Sequence, residues 1–223
     1  MPVRAVFFDV GETLVDEQFY WHELAVRLGM PPHVLWAALG VSIERGEEHA
    51  RLFSYLGLQR PAAWDELTYR REDFYPDALP CLEELRRRGF LVGVAGNQTA
   101  ALEAWTRGQT LPVDVIGSSA GWGVRKPSRA FFERIVAEAA CAPGEVAYVG
   151  DRVDNDVIPA AEAGLVAVHV RRGPWGYLQD GAERASLRVD SLAELPAALG
   201  HAAGSSPASL DAVAEPDARQ SGP

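Results

Sequence analysis

Four groups of polar residues in this sequence carry side chains suited to binding metal ions and phosphate. They are Asp9 with Gly11 and Glu12, then Gly96-Asn97-Gln98-Thr99, Arg125-Lys126-Pro127, and Gly150-Asp151 followed by Asp154, Asn155 and Asp156. Carboxylates gathered in one place repel each other unless a cation neutralises them, and their oxygens suit Mg²⁺. Lys126 would offset the charge of a carboxylate that faces a phosphate. Together these groups predict a magnesium site for a small anionic ligand.

The segments between these groups predict a fold that brings them together. Strands are predicted at 3–8, 90–95, 113–116, 146–149 and 165–170, where the residues are nearly all apolar, as in parallel strands covered on both faces. Helices are predicted at 79–88, 99–107, 128–140 and 157–163. This alternation indicates an α/β fold with a doubly wound, Rossmann-like parallel sheet. Ligands of such sheets bind beyond the carboxyl ends of the strands, where the four polar groups are expected to meet.

The segment 16–77 breaks the alternation of strand and helix. It has helical patterns rich in aromatic residues, and prolines at 31, 32 and 61 that are expected to open helices. We therefore predict a helical cap subdomain at 16–77, inserted into an α/β core formed by 1–15 and 78–200. Its aromatic residues are interpreted mainly as the core of the cap. Trp21, His22 and Trp122 are candidates for lining a pocket.

Composition narrows the possible partners and location. A net charge of −10 argues against a nucleic-acid surface, which needs a basic patch. No apolar run approaches the ~20 residues that span a bilayer, and the run at 3–8 is too short for a signal peptide, so we expect a cytoplasmic protein without membrane contact. The two cysteines, Cys81 and Cys141, lack metal-ligand spacing. The segment 201–223, rich in Ala, Ser and Pro, is predicted to be a disordered tail.

Several motifs resemble those of the haloacid dehalogenase superfamily. They are Phe7-Phe8-Asp9-x-Gly11-x-Thr13-Leu14, Lys126-Pro127, and Val149-Gly150-Asp151-x-x-x-Asn155-Asp156 followed by Ala160-x-x-Ala163-Gly164. The resemblance runs from residue 3 to about 200 and includes the place where that family inserts a helical cap. It implies a hydrolase, a phosphatase of small phosphate monoesters, that uses Mg²⁺.

The resemblance also implies a role for individual residues. Asp9 would attack phosphorus and form a transient aspartyl-phosphate, which water then hydrolyses. Mg²⁺ would be held by Asp9, the backbone carbonyl of Gly11 and Asp151, while Asp156, with Asp154 as a second candidate, would orient a water of the metal or Lys126. Gly96, Asn97 and Lys126 are expected to contact the substrate, and Lys126 would neutralise charge.

Two positions depart from the family pattern. Gly11 stands where phosphatases of the family carry a second Asp, an acid/base group that typically contributes about 10²–10⁴-fold. Glu12 is a candidate replacement, although capping is the role that its position favours. Gly96 stands where a Ser or Thr hydroxyl is usual, and losing such a donor costs up to about 10²–10³-fold. Gly11→Asp is expected to raise turnover if the loop accommodates the side chain.

Three alternatives remain open on the sequence. A 2-haloacid dehalogenase would explain Gly11, because halide needs no proton to leave, and it would act without metal. An esterase is suggested by Gly117-Ser118-Ser119-Ala120-Gly121 with Asp151 and His169. It needs a strand-to-helix turn at the serine, however, and the residues up to Pro127 are expected to postpone that helix. A degenerate family member would bind a phosphorylated ligand without turnover.

Overall fold

The computed structural model describes residues 2–200, and its centre is one six-stranded sheet. The strands are β1 Ala5–Phe8, β2 Leu91–Gly96, β3 Val115–Ser118, β4 Val146–Gly150, β5 Val166–Val170 and β6 Leu187–Val189. Their order across the sheet is β3-β2-β1-β4-β5-β6, and every neighbouring pair is parallel. The winding reverses at β1, so the carboxyl ends of β1 and β4 lie side by side at the position where such folds bind ligands.

Helices connect the strands and cover both faces of the sheet. They are α1 Gln18–Arg27, α2 Pro32–Glu44, α3 Leu52–Tyr55, α4 Ala78–Arg87, α5 Ala100–Gly108, α6 Ser119–Trp122, α7 Arg129–Ala139, α8 Ile158–Glu162, α9 Gly173–Leu178 and α10 Leu195–Leu199. Shorter turns of 3₁₀ helix lie at His49–Arg51, Ala62–Glu66, Arg71–Asp73, Pro143–Glu145, Ala182–Arg184 and Leu192–Glu194, and one π turn at Val153–Val157. Within 2–200 no single helix is long and apolar enough to cross a membrane; α1 and α2 pass that test only as a pair, bent by 113°.

The predicted α/β sheet is confirmed, with two differences in its strands. The third strand lies two residues later than the predicted 113–116, because Gly117 and Ser118 continue the ladder to β2 without adding an apolar signal. The edge strand β6 was not predicted, since it has only three residues and Arg188 at its centre. The four predicted helices correspond to α4, α5, α7 and α8, whereas the short helices α6, α9 and α10 were not predicted.

Alternation along the strands divides the core into two layers. On one face lie Ala5, Phe7, Val146, Tyr148 and Ala167, packed against Phe131, Phe132 and Ile135 of α7. The other face, which includes Val6, Phe8, Val92, Val94, Val149 and Val168, is continuous with buried residues of the helical segment. The sheet is therefore covered on both sides, as its nearly continuous apolar strands require.

Between β1 and α4 the chain forms helices α1 to α3 and three 3₁₀ turns, with two isolated bridges, from Val15 to Gly11 and from Val15 to Phe74. Aromatic rings pack edge to face here: Trp64 contacts Trp21 at 5.7 Å and Phe53 at 5.0 Å between ring centroids. Such pairs stabilise by more than their buried area alone. The division into a core and a cap at 16–77 stays a prediction, and the tail predicted at 201–223 lies outside the described residues.

Arg172, just after β5, connects the loop after β1 to the start of α4. Its guanidinium donates to the carbonyl of Thr13 in the loop after β1 at 2.9 Å, pairs with the Asp77 carboxylate before α4, and stacks on Tyr75 at 4.3 Å. Asp77 also accepts hydrogen bonds from the hydroxyl of Ser191 and the backbone N–H of Leu192. The loop after β1 and the return from the helical segment are thus fixed to the same buried ion pair.

Arg172→Met should destabilise the fold strongly, because it leaves the Asp77 carboxylate, only 19% exposed, without its cation. We expect the free energy of unfolding to fall by about 3–5 kcal/mol in urea denaturation. The neighbouring Arg171 is a matched control, since its pair with Asp190 is more than half exposed on both sides, at 53% and 69%. Arg171→Met should cost about 0–1 kcal/mol. Equal losses for the two variants would contradict a structural role for the Arg172 pair.

Candidate active site

The loops after β1 and β4 place two aspartates next to each other at the sheet's edge. Asp9 directly follows β1, and its backbone N–H donates to the carbonyl of Val149 in β4 at 2.9 Å. Asp151 directly follows β4. The carboxylates of Asp9, Asp151 and Asp156 all have oxygens within 4.8 Å of one another. The strand order places Asp9 and Asp151 together, and the turn Val153–Val157 adds Asp156 to the cluster.

Lys126 enters this cluster as a buried cation. Its ammonium lies 2.8 Å from Asp9 and 2.6 Å from Asp156, and its side chain is 1% exposed. Burial lowers the pKa of Lys126, but the charges of Asp156 and Asp9 outweigh burial and hold the pKa well above its ordinary value. The same ion pair partly offsets the effect of burial on Asp156, whose pKa is raised to about 6. Lys126 therefore stays charged and holds two carboxylates in place.

Asn97 holds the backbone of Lys126 with both ends of its side-chain amide. Its Nδ2 donates to the carbonyl of Lys126 and its Oδ1 accepts from the backbone N–H of Lys126, both at 2.9 Å. This two-point contact connects the loop after β2 to the loop that carries the lysine. The side-chain amide of Asn97, which was predicted to contact substrate, thus has a structural role in holding the backbone of Lys126.

Two glycines permit the close approach of the acids. An added Cβ at Gly96 would lie 2.4 Å from the Asp9 carboxylate, and one at Gly150 would lie 2.3 Å from the Asp156 carboxylate. Real Cβ atoms essentially never come that close, so any side chain at either position would push the carboxylate above it away. Gly96, which departs from the family pattern, therefore leaves room for Asp9 itself.

Asp151 differs from its neighbours because no described side chain donates to its carboxylate or pairs with it. It is 2% exposed, and burial, followed by the charges of Asp156 and Asp9, raises its pKa well above the ordinary value. Its backbone carbonyl is held by the imidazole of His169 at 3.0 Å, which fixes the loop. A buried carboxylate without a protein cation, beside two others, has the chemistry of a divalent-metal ligand.

Two glutamates lie above the loop after β1. Glu12 has a left-handed backbone, with φ of 51°, and its carboxylate accepts a hydrogen bond from the Tyr75 hydroxyl at 2.6 Å. Burial, then the charge of Glu17, raises the pKa of Glu12 to about 8. Glu17 precedes α1 and accepts from the Tyr69 hydroxyl and from Trp21 Nε1. Glu12 was predicted to be a cap or a replacement acid, whereas Glu17 was not predicted at all.

Above the acids lies a cavity of about 610 Å³. Of the predicted site residues, Asp9, Gly11, Asn97, Lys126 and Asp151 line it. The helical segment contributes aromatic and charged residues to its wall: Glu17, Tyr20, Trp21, Glu48, His49, Arg60, Trp64 and Tyr69. The aromatic cluster of that segment therefore has a ligand-facing side as well as a core. Among the described residues His22 and Trp122 do not line this cavity, so these two candidates were wrong.

His49, to which the sequence assigned no role, lies between arginines on the cavity wall. Its Nδ1 is 3.4 Å from the Arg152 guanidinium, which stacks on Trp175 at 4.5 Å and forms two hydrogen bonds to Asp154. Arg152 comes directly after Asp151, so the adjacent residue could have drawn attention to it. His49 carried no signal, because nothing in its local pattern relates a helical-segment residue to the loop after β4.

The geometry does not support an esterase. α6 begins at Ser119, directly after β3, so the prediction of a postponed helix was wrong. However, the Ser119 hydroxyl donates to the carbonyl of Gln98 at 3.2 Å. His169 belongs to β5, and β2, β1 and β4 separate β5 from β3 in the sheet. The serine and the histidine of the proposed triad therefore lie on different parts of the sheet.

Comparison with known proteins gives a consistent result. Residues 3–164 match a family described as haloacid dehalogenase-like hydrolase. The chain is 30% identical to a glyceraldehyde 3-phosphate phosphatase from Methanopyrus kandleri over 202 residues, which are 78% of this chain and 86% of the relative. The fold resembles those of a HAD phosphatase from Thermococcus onnurineus (TM-score 0.61, 24% identity, 89% of this chain and 99% of that one). It also resembles an L-2-haloacid dehalogenase from Xanthobacter autotrophicus (TM-score 0.61, 19% identity, 87% and 97%).

Replacing Lys126 should destabilise the protein in the absence of metal. Lys126→Met leaves Asp9 and Asp156 buried without their cation, so we expect a loss of about 3–5 kcal/mol in the free energy of unfolding. Arg125→Met is the matched control, because Arg125 is exposed and makes no ion pair within 2–200. That change should stay within about 0.5 kcal/mol. Urea denaturation with chelator present measures both, and similar stability of the two variants would contradict the structural importance of Lys126.

His49 should make the protein less stable in mild acid. Its pKa is lowered from 6.5 to about 3 by burial and by the charges of Arg152, Arg125 and Arg60, against a smaller opposite effect of Asp154. Below pH 6.5 the unfolded chain binds a proton at His49 that the folded chain refuses until about pH 3. The unfolding free energy then falls by up to about 1.4 kcal/mol per pH unit.

His49→Gln isolates this effect from that of the other titrating groups. Any stability advantage of the wild type over His49→Gln at pH 7 should shrink as the pH falls toward 4, because only the wild type carries the histidine. Urea denaturation of both proteins at several pH values measures the difference. Parallel stability curves would show that His49 is not the source of the acid sensitivity.

Proposed function

The chain belongs to the haloacid dehalogenase-like hydrolase family, and we propose that it hydrolyses small phosphate monoesters with the Asp9 carboxylate as the nucleophile. The main support is the contact of Lys126 with Asp9 beside the unpaired carboxylate of Asp151. This arrangement supplies a nucleophile, a fixed positive charge and a metal ligand in one cluster. The relative from Methanopyrus kandleri is named as a phosphatase, which agrees with the proposal.

The acids fit Mg²⁺, which we propose as the cofactor. Asp9 and Asp151 would hold it together with the backbone carbonyl of Gly11, because these are hard oxygen ligands. Asp156 already accepts from Lys126 with one oxygen and from the backbone N–H of Arg152 with the other, so we assign it to positioning Lys126 beside the metal. When bound, the ion would neutralise the charge of the carboxylates and of the phosphoryl oxygens.

The residues of this chain then have distinct roles in two successive displacements. An oxygen of Asp9 attacks phosphorus while the bond from phosphorus to the ester oxygen breaks, which leaves an aspartyl-phosphate and an alcohol. Water next attacks that phosphorus, and the bond to Asp9 breaks, which releases inorganic phosphate. Lys126 remains beside Asp9 through both steps and offsets negative charge on the phosphoryl oxygens. A proton must reach the leaving oxygen in the first step.

The cavity limits the substrate to a small polar molecule. Its volume of about 610 Å³ suits a metabolite rather than a polymer. The carboxamide of Gln98 lines it and is buried without a hydrogen-bond partner on either Nε2 or Oε1 among the described residues. Buried polar groups require partners, so we propose that Gln98 binds a hydroxyl or carbonyl of the substrate. The helical segment 16–77 would act as the cap that excludes water and selects this molecule.

Asp9→Asn should abolish turnover, because an amide cannot attack phosphorus. Hydrolysis of an aryl phosphate with Mg²⁺ should fall by on the order of 10⁴-fold or more. Asp180→Asn is the control, since Asp180 is exposed and does not line the cavity. EDTA should stop the wild type, and excess Mg²⁺ should restore it.

Other outcomes separate the alternatives. Halide release from a 2-haloacid that persists in EDTA would identify a dehalogenase instead. Phosphate binding with no hydrolysis across a panel of esters would identify a degenerate member that has lost turnover. Aryl phosphate hydrolysis that survives Asp9→Asn would overturn the assignment of the nucleophile.

A further inference from the structure

The space above Gly11 is occupied by another residue's carboxylate. An added Cβ at Gly11 would lie 2.3 Å from Oε1 of Glu17, 2.7 Å from its Cδ and 3.2 Å from the Tyr69 hydroxyl. Glu17 lines the cavity together with Asp9 and Gly11. The space that a side chain at position 11 would fill is therefore occupied by the carboxylate of Glu17, which directly precedes α1.

The orientation of Glu17 is fixed by two donors. The Tyr69 hydroxyl donates to Oε1, and Trp21 Nε1 donates to Oε2 at 3.0 Å. Both donors are buried, at 5% and 4% exposure, and belong to the aromatic cluster of the helical segment. The backbone N–H of Glu17 also donates to the Glu12 carboxylate at 3.3 Å. A group held this firmly needs little reorganisation when a substrate arrives.

The other acids that line the cavity are less suited to proton transfer. Glu12 points toward Tyr75 and packs against Gly173, and it is 6% exposed. Glu48 is exposed at the rim, and no contact fixes its carboxylate within 2–200. Asp151 belongs to the metal cluster. Glu17 is half-buried, oriented and adjacent to the loop of the nucleophile.

We infer that Glu17 is the acid/base residue of this enzyme, an inference that rests on the proposed phosphatase function. In the first step the proton of the Glu17 carboxyl moves to the ester oxygen as its bond to phosphorus breaks, so an alcohol leaves instead of an alkoxide. In the second step water loses a proton to the Glu17 carboxylate as its oxygen bonds to phosphorus. Each cycle returns Glu17 to its starting form.

Glu17→Gln distinguishes proton transfer from a structural role, because it keeps the shape and removes the proton. An alkyl phosphate has a poor leaving group and depends on the acid, so its kcat should fall by about 10²–10⁴-fold. Nitrophenolate is a good leaving group that needs no proton, so this variant should still release it from nitrophenyl phosphate in a burst of about one equivalent. Slow turnover should follow, because water attack on the aspartyl-phosphate still lacks its base. Glu23→Gln, on the outer side of α1 and paired with Arg27, should behave like the wild type.

A relocation experiment tests the same inference from the other side. Gly11→Asp alone should not raise turnover, contrary to the sequence-based expectation, because the new side chain displaces Glu17 from its two donors. Glu17→Ala should lose the acid, and the double variant Gly11→Asp with Glu17→Ala should regain at least about tenfold over Glu17→Ala on the alkyl ester, since position 11 then supplies a carboxylate with room to fit.

The results separate the two levels of inference. Ester hydrolysis that is lost in Asp9→Asn but unchanged in Glu17→Gln would overturn the role of Glu17 alone. Equal losses on both esters without a burst would show that Glu17 only positions its neighbours. A wild type with no Asp9-dependent hydrolysis of either ester would overturn the phosphatase function and the role of Glu17 with it.

Discussion

The burial of one ammonium between two carboxylates is the interaction on which the rest of the site depends. Lys126 can be nearly inaccessible to solvent only because Asp9 and Asp156 both contact it. Each partner comes from a different part of the sheet's edge, and Asn97 holds the lysine backbone from a third. The parallel order of β2, β1 and β4 brings these groups to one edge of the sheet, where each buried charge has a partner of opposite sign. Lys126 does not pair with Asp151, so this carboxylate keeps the oxygen chemistry of a divalent-metal ligand.

Most of the sheet and part of the site could be predicted from the sequence. Apolar runs identify the strands that are covered on both faces, and the rule that ligands bind at carboxyl ends brings Asp9, Lys126 and Asp151 together. β6 escapes detection because Arg188 interrupts its three residues. Glu17, His49 and the tie between Arg172 and Asp77 could not be found in this way. Their positions depend on how the helical segment folds back over the sheet. The hydrophobic periodicity of strands and helices predicts single elements and not contacts between distant ones.

The two departures from the family pattern have a common physical explanation. At Gly96 and at Gly11 a side chain would meet a carboxylate, that of Asp9 in the first case and that of Glu17 in the second. From sequence alone, glycine at these positions suggested lost function, since only the missing groups were visible. In three dimensions each glycine leaves space for a carboxylate that another segment places beside it. A missing side chain is therefore weak evidence for a missing interaction until the occupant of its space is known.

The closeness of Gly11 and Glu17 has a consequence for how such a chain can diverge. Two residues whose side chains compete for one volume cannot change independently, so the effect of a substitution at position 11 depends on the residue at position 17. A side chain at position 11 and the present Glu17 carboxylate exclude each other from that volume, so a carboxylate gained at 11 is expected together with a shorter residue at 17. This competition for one volume predicts covariation between positions 11 and 17 among related chains.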